Sequence, residues 1–166
     1  FPHRSWQSFL SVADDLGVDP YELLSVARRE SGLYPRARSA VGARGLMQLM
    51  PATARSVAND RKEVYGDASS LYDPATNIAL GAAYYVDLLS RFEGNRVMAL
   101  AAYNAGPSRV VRWSEKDMAV DQWVDSIPFG ETREYVQAVL VYLVIYRTRA
   151  EQPVSLLTVA ERESLY

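Results

Sequence analysis

Apolar positions recur at intervals of three and four along most of the chain, a spacing that predicts helices rather than strands. Trp6, Phe9, Leu10, Ala13 and Leu16 form one stripe, within a segment running from about Arg4 to Leu16 and stopped by Gly17. Asp19-Pro20-Tyr21-Glu22 then supplies a capping residue, a proline at the first helical position and an acid two positions on. The helix this opens turns Leu23, Leu24 and Ala27 inward, carries Glu30 one turn beyond Val26 and Ala27, and is cut short by Gly32 with Pro35 beyond. Residues 33–45 read as loop, and another helix is expected to start near Leu46. Pro51 and Thr53 begin a further short helix through about Ala58, and the mixed polar residues 60–72 form a connector.

Asp73-Pro74 repeats the cap-plus-proline signal, followed by an amphipathic face of Ile78, Gly81, Ala82, Tyr85, Leu88, Leu89 and Phe92 that closes at Gly94. Val97, Leu100, Ala101 and Tyr103-Asn104 make another short helix ended by Gly106-Pro107. Two more short helices are expected around Ser108–Trp113 and Val120–Ile127. After the turn Pro128-Phe129-Gly130, Glu131-Thr132-Arg133 opens a helix to about Arg149. From Val136 to Tyr146 it is apolar nearly all round, which predicts the buried central helix of the fold. Residues 154–164 are expected to form a terminal helix. With no alternating stretch, no repeat and no linker, the pattern predicts one all-α domain over residues 1–166.

Composition narrows the chemistry by subtraction. At 166 residues, 49% hydrophobic and 23% charged, the chain has the balance of a globular domain, and its formal net charge of -2 does not suggest nucleic acid. There is no cysteine, so disulfides, thiolate nucleophiles and cysteine metal sites are excluded. The one histidine, His3, stands at the terminus, which argues against a His-dependent triad or zinc site. No loop has calcium-ligand spacing, so no metal and no cofactor is expected. The longest apolar run, Val139–Tyr146, is far shorter than the roughly 20 residues a membrane span needs. The chain starts at Phe1 without a methionine or a signal pattern, and is expected to be a piece excised from something longer.

What remains is carboxylates, amides, hydroxyls and aromatics. Glu30 sits where the last carbonyls of its helix place negative charge beside it, an arrangement that pushes a carboxyl pKa upward. A solvated surface glutamate is the alternative, but the stripe of Leu23, Leu24 and Ala27 directs Glu30 to the core side or its rim. Gln48 stands among Met47, Leu49 and Met50, residues whose first reading is core packing, and a buried amide requires partners. Asn104 and Glu131 are also polar in apolar surroundings. A sheltered acid without a histidine base suits protonation of a leaving oxygen, and abundant tyrosine and tryptophan suit carbohydrate. The residues alone thus point to a glycosidase or a saccharide-binding helical domain.

Four segments appear in order: Glu30-Ser31-Gly32, Gly45-Leu46-Met47-Gln48-Leu49-Met50-Pro51, Ala102-Tyr103-Asn104-Ala105-Gly106-Pro107, and Ile127-Pro128-Phe129-Gly130-Glu131-Thr132-Arg133-Glu134-Tyr135-Val136. Together they resemble the soluble lytic transglycosylases of bacterial cell-wall turnover, whose catalytic domain is similar to goose-type lysozyme. The resemblance covers essentially the whole chain. It implies a lysozyme-like all-α fold with a sugar-binding groove, a periplasmic monomer, and peptidoglycan glycan strands as substrate. By motif, Glu30 is the implied catalytic acid. It protonates the oxygen between N-acetylmuramic acid and N-acetylglucosamine, and the sugar's own C6 hydroxyl then closes a 1,6-anhydro ring without water. Such an enzyme departs from the carboxylate pair of ordinary glycosidases. Ser39, Gln48, Tyr103 and Asn104 are implied groove residues, Met50 a wall of the cleft, and Glu131 and Tyr135 further saccharide contacts. Glu131 equally suits a helix N-terminus for its charge alone. A lysozyme-type hydrolase and an inert glycan-binding module are the competing readings.

A local excess of positive charge accompanies these motifs. Arg28, Arg29, Arg36, Arg38, Arg44, Arg55, Arg61 and Lys62 stand against only Glu30 and Asp60 in residues 28–62. This excess is expected either to be a solvated face or to attract the carboxylates of peptidoglycan peptide stems.

Overall fold

The computed structural model describes residues 5–63, 65–114 and 117–166. His3 and Arg4 lie outside the described residues. The chain divides into two compact units, residues 1–86 and 87–166.

In the first unit, α1 (Trp6–Leu16) ends at Gly17 in the left-handed conformation and packs against α2 (Pro20–Ser31). The Trp6 and Tyr21 rings lie 5.0 Å apart, and Phe9 and Ala13 are the buried residues of the α1 stripe. Asp19 caps α2, accepting from the Tyr21 amide at 2.8 Å, and Gly32 stops it at φ 61°. Leu23, Leu24, Val26 and Ala27 are wholly buried, as the stripe predicts.

The next helix does not start at Leu46. Residues 45–48 form a turn, and α3 runs from Pro51 to Asp60 with Met50 at its cap position. Gly45 at φ 79° and Gln48 at φ 47° have left-handed backbones that no helix accommodates, and the apolar residues between them are buried in the turn itself. Leu49, Ala54, Val57, Ala58, Leu71, Leu80 and Ala83 form a core, with Tyr65 and Tyr84 packed against it. A 3₁₀ turn at Ser70–Tyr72 leads into α4 (Pro74–Arg91), where Asp73 accepts from the Thr76 amide and hydroxyl, both at 2.8 Å. Those bonds hold its carboxyl below the usual aspartate range. The boundary between the units falls within α4.

In the second unit, α5 (Arg96–Ala105) packs on both α6 (Pro107–Trp113) and α8 (Gly130–Arg149), and α7 (Val120–Ser126) also meets α8. The central helix is only partly as predicted. Tyr135, Val136, Val139, Leu140, Leu143 and Tyr146 are buried, but Val141 and Ile145 on the other side are 45% and 40% exposed. Apolar composition all round the helix does not supply neighbours all round it.

The terminal helix is also shorter than expected, reduced to α9 (Val159–Glu163) with a capping box between Thr158 and Glu161. The C-terminal segment is stitched in by hydrogen bonds. Met118 and Tyr166 exchange backbone bonds of 2.8 and 2.9 Å, and Asn95 donates to the Tyr166 hydroxyl at 2.8 Å. Glu161 pairs with Arg96 at 2.7 Å, with both side chains largely buried.

Candidate active site

The candidate residues fall into two sets, one in each unit. Glu30, Ser39, Gln48 and Met50 belong to the first.

Glu30 occupies the last turn of α2, half-buried, with Ala27 one turn earlier wholly buried. The next residue ties this helix end to the following turn. The Ser31 hydroxyl lies 3.0 Å from the Ala27 carbonyl within the helix and 2.8 Å from the Leu46 carbonyl. The α2 terminus that carries Glu30 and the turn that carries Gln48 therefore share one side-chain tether.

The turn itself is seated on α4. Asn77 is wholly buried; its Oδ1 accepts from the Met47 amide at 2.7 Å, and its Nδ2 donates to the carbonyls of Arg44 and Leu71, both at 2.9 Å. Every polar atom of this buried amide is used, which a core position requires. Two glycines make the seat possible. A Cβ on Gly45 would lie 2.2 Å from the Leu71 carbonyl and 2.3 Å from Asn77 Nδ2, and one on Gly81 would lie 2.6 Å from the Met47 sulfur.

Gln48 projects from this seat with its donor already occupied. Its Nε2 donates to Gly45 at 2.8 Å and to Ala37 at 3.1 Å. Two carbonyl acceptors fix the orientation of the amide, so Oε1 is the atom turned away from them. Gln48 therefore presents a held acceptor, suited to a hydroxyl or amide donor of a ligand. Ser39 closes the preceding turn, accepting from the Ala43 amide at 3.0 Å; its own proton stays available to donate. Met47 and Leu49 are core residues, whereas Met50 is 39% exposed and does not pack in the core.

Tyr103, Asn104, Glu131 and Tyr135 belong to the second unit. Tyr103 and Asn104 lie half-buried in the last turn of α5. Asn104 bridges to the start of α8: its Nδ2 donates to Glu131 at 3.2 Å, and its Oδ1 accepts from the Thr132 hydroxyl at 2.7 Å. Glu131 is exposed in the first turn of α8, where the helix dipole favours an acid. It is both a well-placed helix charge and a partner of Asn104. Tyr135 differs from expectation. Only 2% of it is exposed: it shares a helix face with Glu131, but one turn farther along α8 that face has passed from the exposed helix start into the core, where Val136 and Val139 are also buried. It is a packing residue in this structure, not a surface available to sugar.

Three supporting residues escaped the sequence reading: Ser31, Asn77 and Thr132. Ser31 and Thr132 lie inside the four motif segments, where nothing local signals their roles. Asn77 has a visible signal, since it falls four residues before Gly81 and eight before Tyr85, on the buried face of α4.

Comparison with known proteins agrees with this architecture. Residues 7–126 match the family model described as the Transglycosylase SLT domain, and residues 126–154 match the Soluble lytic transglycosylase helical domain. The soluble lytic murein transglycosylase of Escherichia coli K12 is 44% identical over 128 residues, covering 75% of this chain and 20% of its own length. Among solved structures, an inactive mutant of lytic transglycosylase Slt from Pseudomonas aeruginosa superposes with a TM-score of 0.92 at 41% identity. That match covers 99% of this chain and 26% of the other. The 70-kDa soluble lytic transglycosylase of Escherichia coli gives a TM-score of 0.93 at 35% identity, covering 96% of this chain and 26% of that one. The chain thus spans about a quarter or less of the length of these relatives.

Proposed function

The chain belongs to the transglycosylase SLT domain family, and on that premise we propose that it is a peptidoglycan lytic transglycosylase acting in the bacterial periplasm. The substrate is the β-1,4 bond between N-acetylmuramic acid and N-acetylglucosamine. Glu30 gives its proton to the bridging oxygen as the C1–O bond breaks. The C6 hydroxyl of the muramic residue attacks C1 and returns its proton to the same carboxylate. The new C1–O6 bond closes the 1,6-anhydro ring, no water is consumed, and Glu30 ends protonated for the next cycle. The substrate's own N-acetyl group stabilises positive charge at C1, so no second carboxylate is required.

The observation that carries this reading is the tether between the Glu30 helix end and the Gln48 turn. Ser31 bonds Leu46, and Asn77 and Gly45 fix the turn from beneath. An acid held beside a preorganised polar turn suits a reaction in which one group must first give and then take a proton. Gln48 Oε1, the Ser39 hydroxyl and the Asn104–Glu131 pair are offered as sugar-binding groups, and Met50 as apolar wall. The inactive state of the Pseudomonas aeruginosa relative was reached by a glutamate-to-glutamine change, which is consistent with an essential glutamic acid.

The test is product analysis by mass spectrometry after digestion of purified sacculi. Anhydro ends, one water lighter than reducing ends, support the transglycosylase. Reducing ends identify a lysozyme-type hydrolase. Glycan binding without any cleavage identifies an inert binding module.

A further inference from the structure

The start of α8 holds a buried hydroxyl whose bond leaves its own helix. Thr132 stands in the first turn of α8 and is 1% exposed. A helical threonine hydroxyl has a local option, the carbonyl three or four residues back. Here the Thr132 amide bonds the Phe129 carbonyl at 3.0 Å, while the hydroxyl donates to Asn104 Oδ1 at 2.7 Å, in the last turn of α5. The other partner of Asn104 settles the direction of that bond. The Glu131 carboxylate accepts and does not donate, so Asn104 Nδ2 faces it, at 3.2 Å. Oδ1 is then the end turned to Thr132, and the hydroxyl is the donor there. Among the described residues nothing else takes the second Nδ2 proton, which is left for a ligand.

The backbone on both sides of this bond is braced by α6. Arg109 donates to the Ala105 carbonyl at 2.7 Å, and its guanidinium lies 5.4 Å from the centre of the Phe129 ring. That ring also meets Trp113 nearly at right angles, with centroids 5.4 Å apart. Ala105 is the last residue of α5 and Phe129 the one before α8, so the ends that carry Asn104 and Thr132 are both pinned. What stays adjustable is the Asn104 side chain. Glu131 is exposed and its bond is the longer, so it constrains the amide less than the buried hydroxyl does.

We propose that Thr132 is a positioning residue for glycan binding: it touches no sugar, and it fixes the direction in which Asn104 offers its N–H. Without the hydroxyl, Oδ1 loses its donor and the amide turns about its last side-chain bond, presenting oxygen and N–H to a ligand by turns. Binding then has to select the productive orientation, while the proton transfers at Glu30 are unaffected. A loss of that kind acts alike on ground state and transition state, so it raises KM and leaves kcat in place. This inference rests on the proposed function, because Asn104 meets sugar only if the chain acts on glycan.

The experiment measures kcat and KM separately on a soluble peptidoglycan glycan, with circular dichroism checking the fold of each variant. Thr132→Val keeps the side-chain shape without the hydroxyl and should raise KM about fivefold, as loss of one neutral hydrogen bond would, with kcat within about twofold. Thr132→Ser restores the donor and should return KM to within about twofold of native. Asn104→Ala should raise KM at least as far, and Thr132→Val added to it should raise KM no further, because the hydroxyl acts only through that amide. Thr132→Ala carries the same expectations if the valine variant does not fold. An unchanged KM in Thr132→Val, no rescue by serine, or an effect that persists without the Asn104 amide overturns the positioning role alone. Loss of the fold in both the valine and alanine variants, with Asn104→Ala folded, marks the hydroxyl as structural and overturns it as well. Absence of cleavage by the native protein overturns the transglycosylase reading and the positioning role with it.

Discussion

Asn77→Ala tests whether the Gln48 turn is seated from beneath as described. The substitution removes three hydrogen bonds, to the Met47 amide at 2.7 Å and to the Arg44 and Leu71 carbonyls at 2.9 Å. The Arg44 carbonyl keeps a bond from the Leu49 amide at 3.1 Å, so it loses least. The Met47 amide loses its buried acceptor, which costs about 1–3 kcal/mol, and each carbonyl bond contributes about 0.5–1.5 kcal/mol. Together the loss is about 2–6 kcal/mol before any relaxation around the missing amide. Urea unfolding measures it: the midpoint should fall by roughly 1–3 M at an m-value of about 2 kcal/mol/M, with the slope unchanged. Cleavage of glycan should fall as well, assayed well below the transition, because the turn holding Gln48 loses its support on α4. A loss under about 1 kcal/mol with full activity would refute the reasoning.

Further expectations follow from other positions. Gly45→Ala forces a Cβ to within 2.2 Å of the Leu71 carbonyl at a backbone φ of 79°, so thermal unfolding should show a loss of at least about 2 kcal/mol. Glu161→Gln leaves Arg96 without its carboxylate inside the second unit, and chemical unfolding should report about 3–5 kcal/mol. Glu161 also predicts a pH dependence. Burial pushes its carboxyl up, but hydrogen bonds from Arg96 and the Thr158 amide outweigh that and hold it below the usual glutamate value. Its contribution is therefore fully present above the unfolded-state pKa and lost as pH falls through the folded-state pKa, a loss that Glu161→Gln should abolish in acid titrations of stability. Glu131→Gln retains an acceptor for Asn104 and should leave the unfolding midpoint nearly unchanged. A rise in KM without a fall in kcat would mark Glu131 as a sugar contact, and unchanged kinetics would mark it as a helix charge only.

The sequence and the structure diverge where a residue's neighbours come from distant elements. The ends of α2 are legible, because Asp19, Pro20 and Gly32 are local signals whose physics acts within a few residues. Glu30 falls in the last turn, as expected, for the same reason. The turn at residues 45–48 is not legible: Leu46, Met47, Leu49 and Met50 look like the start of a helix until Asn77, thirty residues later, claims the Met47 amide. The burial of α8 is overestimated from sequence because Val141 and Ile145 have the composition of core residues without neighbours to cover them. Tyr135 reads as a saccharide contact because a motif names residues without showing how far along its helix each one enters the core. Arg38 and Arg44 pair across an isolated antiparallel bridge, a backbone register that charge counting along residues 28–62 does not contain.

The most direct test of Glu30 as sole acid and base is digestion of sacculi in heavy-oxygen water, by the native protein and by Glu30→Gln, with mass spectrometry of the released muropeptides. The account predicts anhydro-muramic ends with no solvent oxygen from the native protein, and no products from a folded Glu30→Gln that still binds glycan. Heavy oxygen at the new ends, or undiminished cleavage by Glu30→Gln, would contradict it.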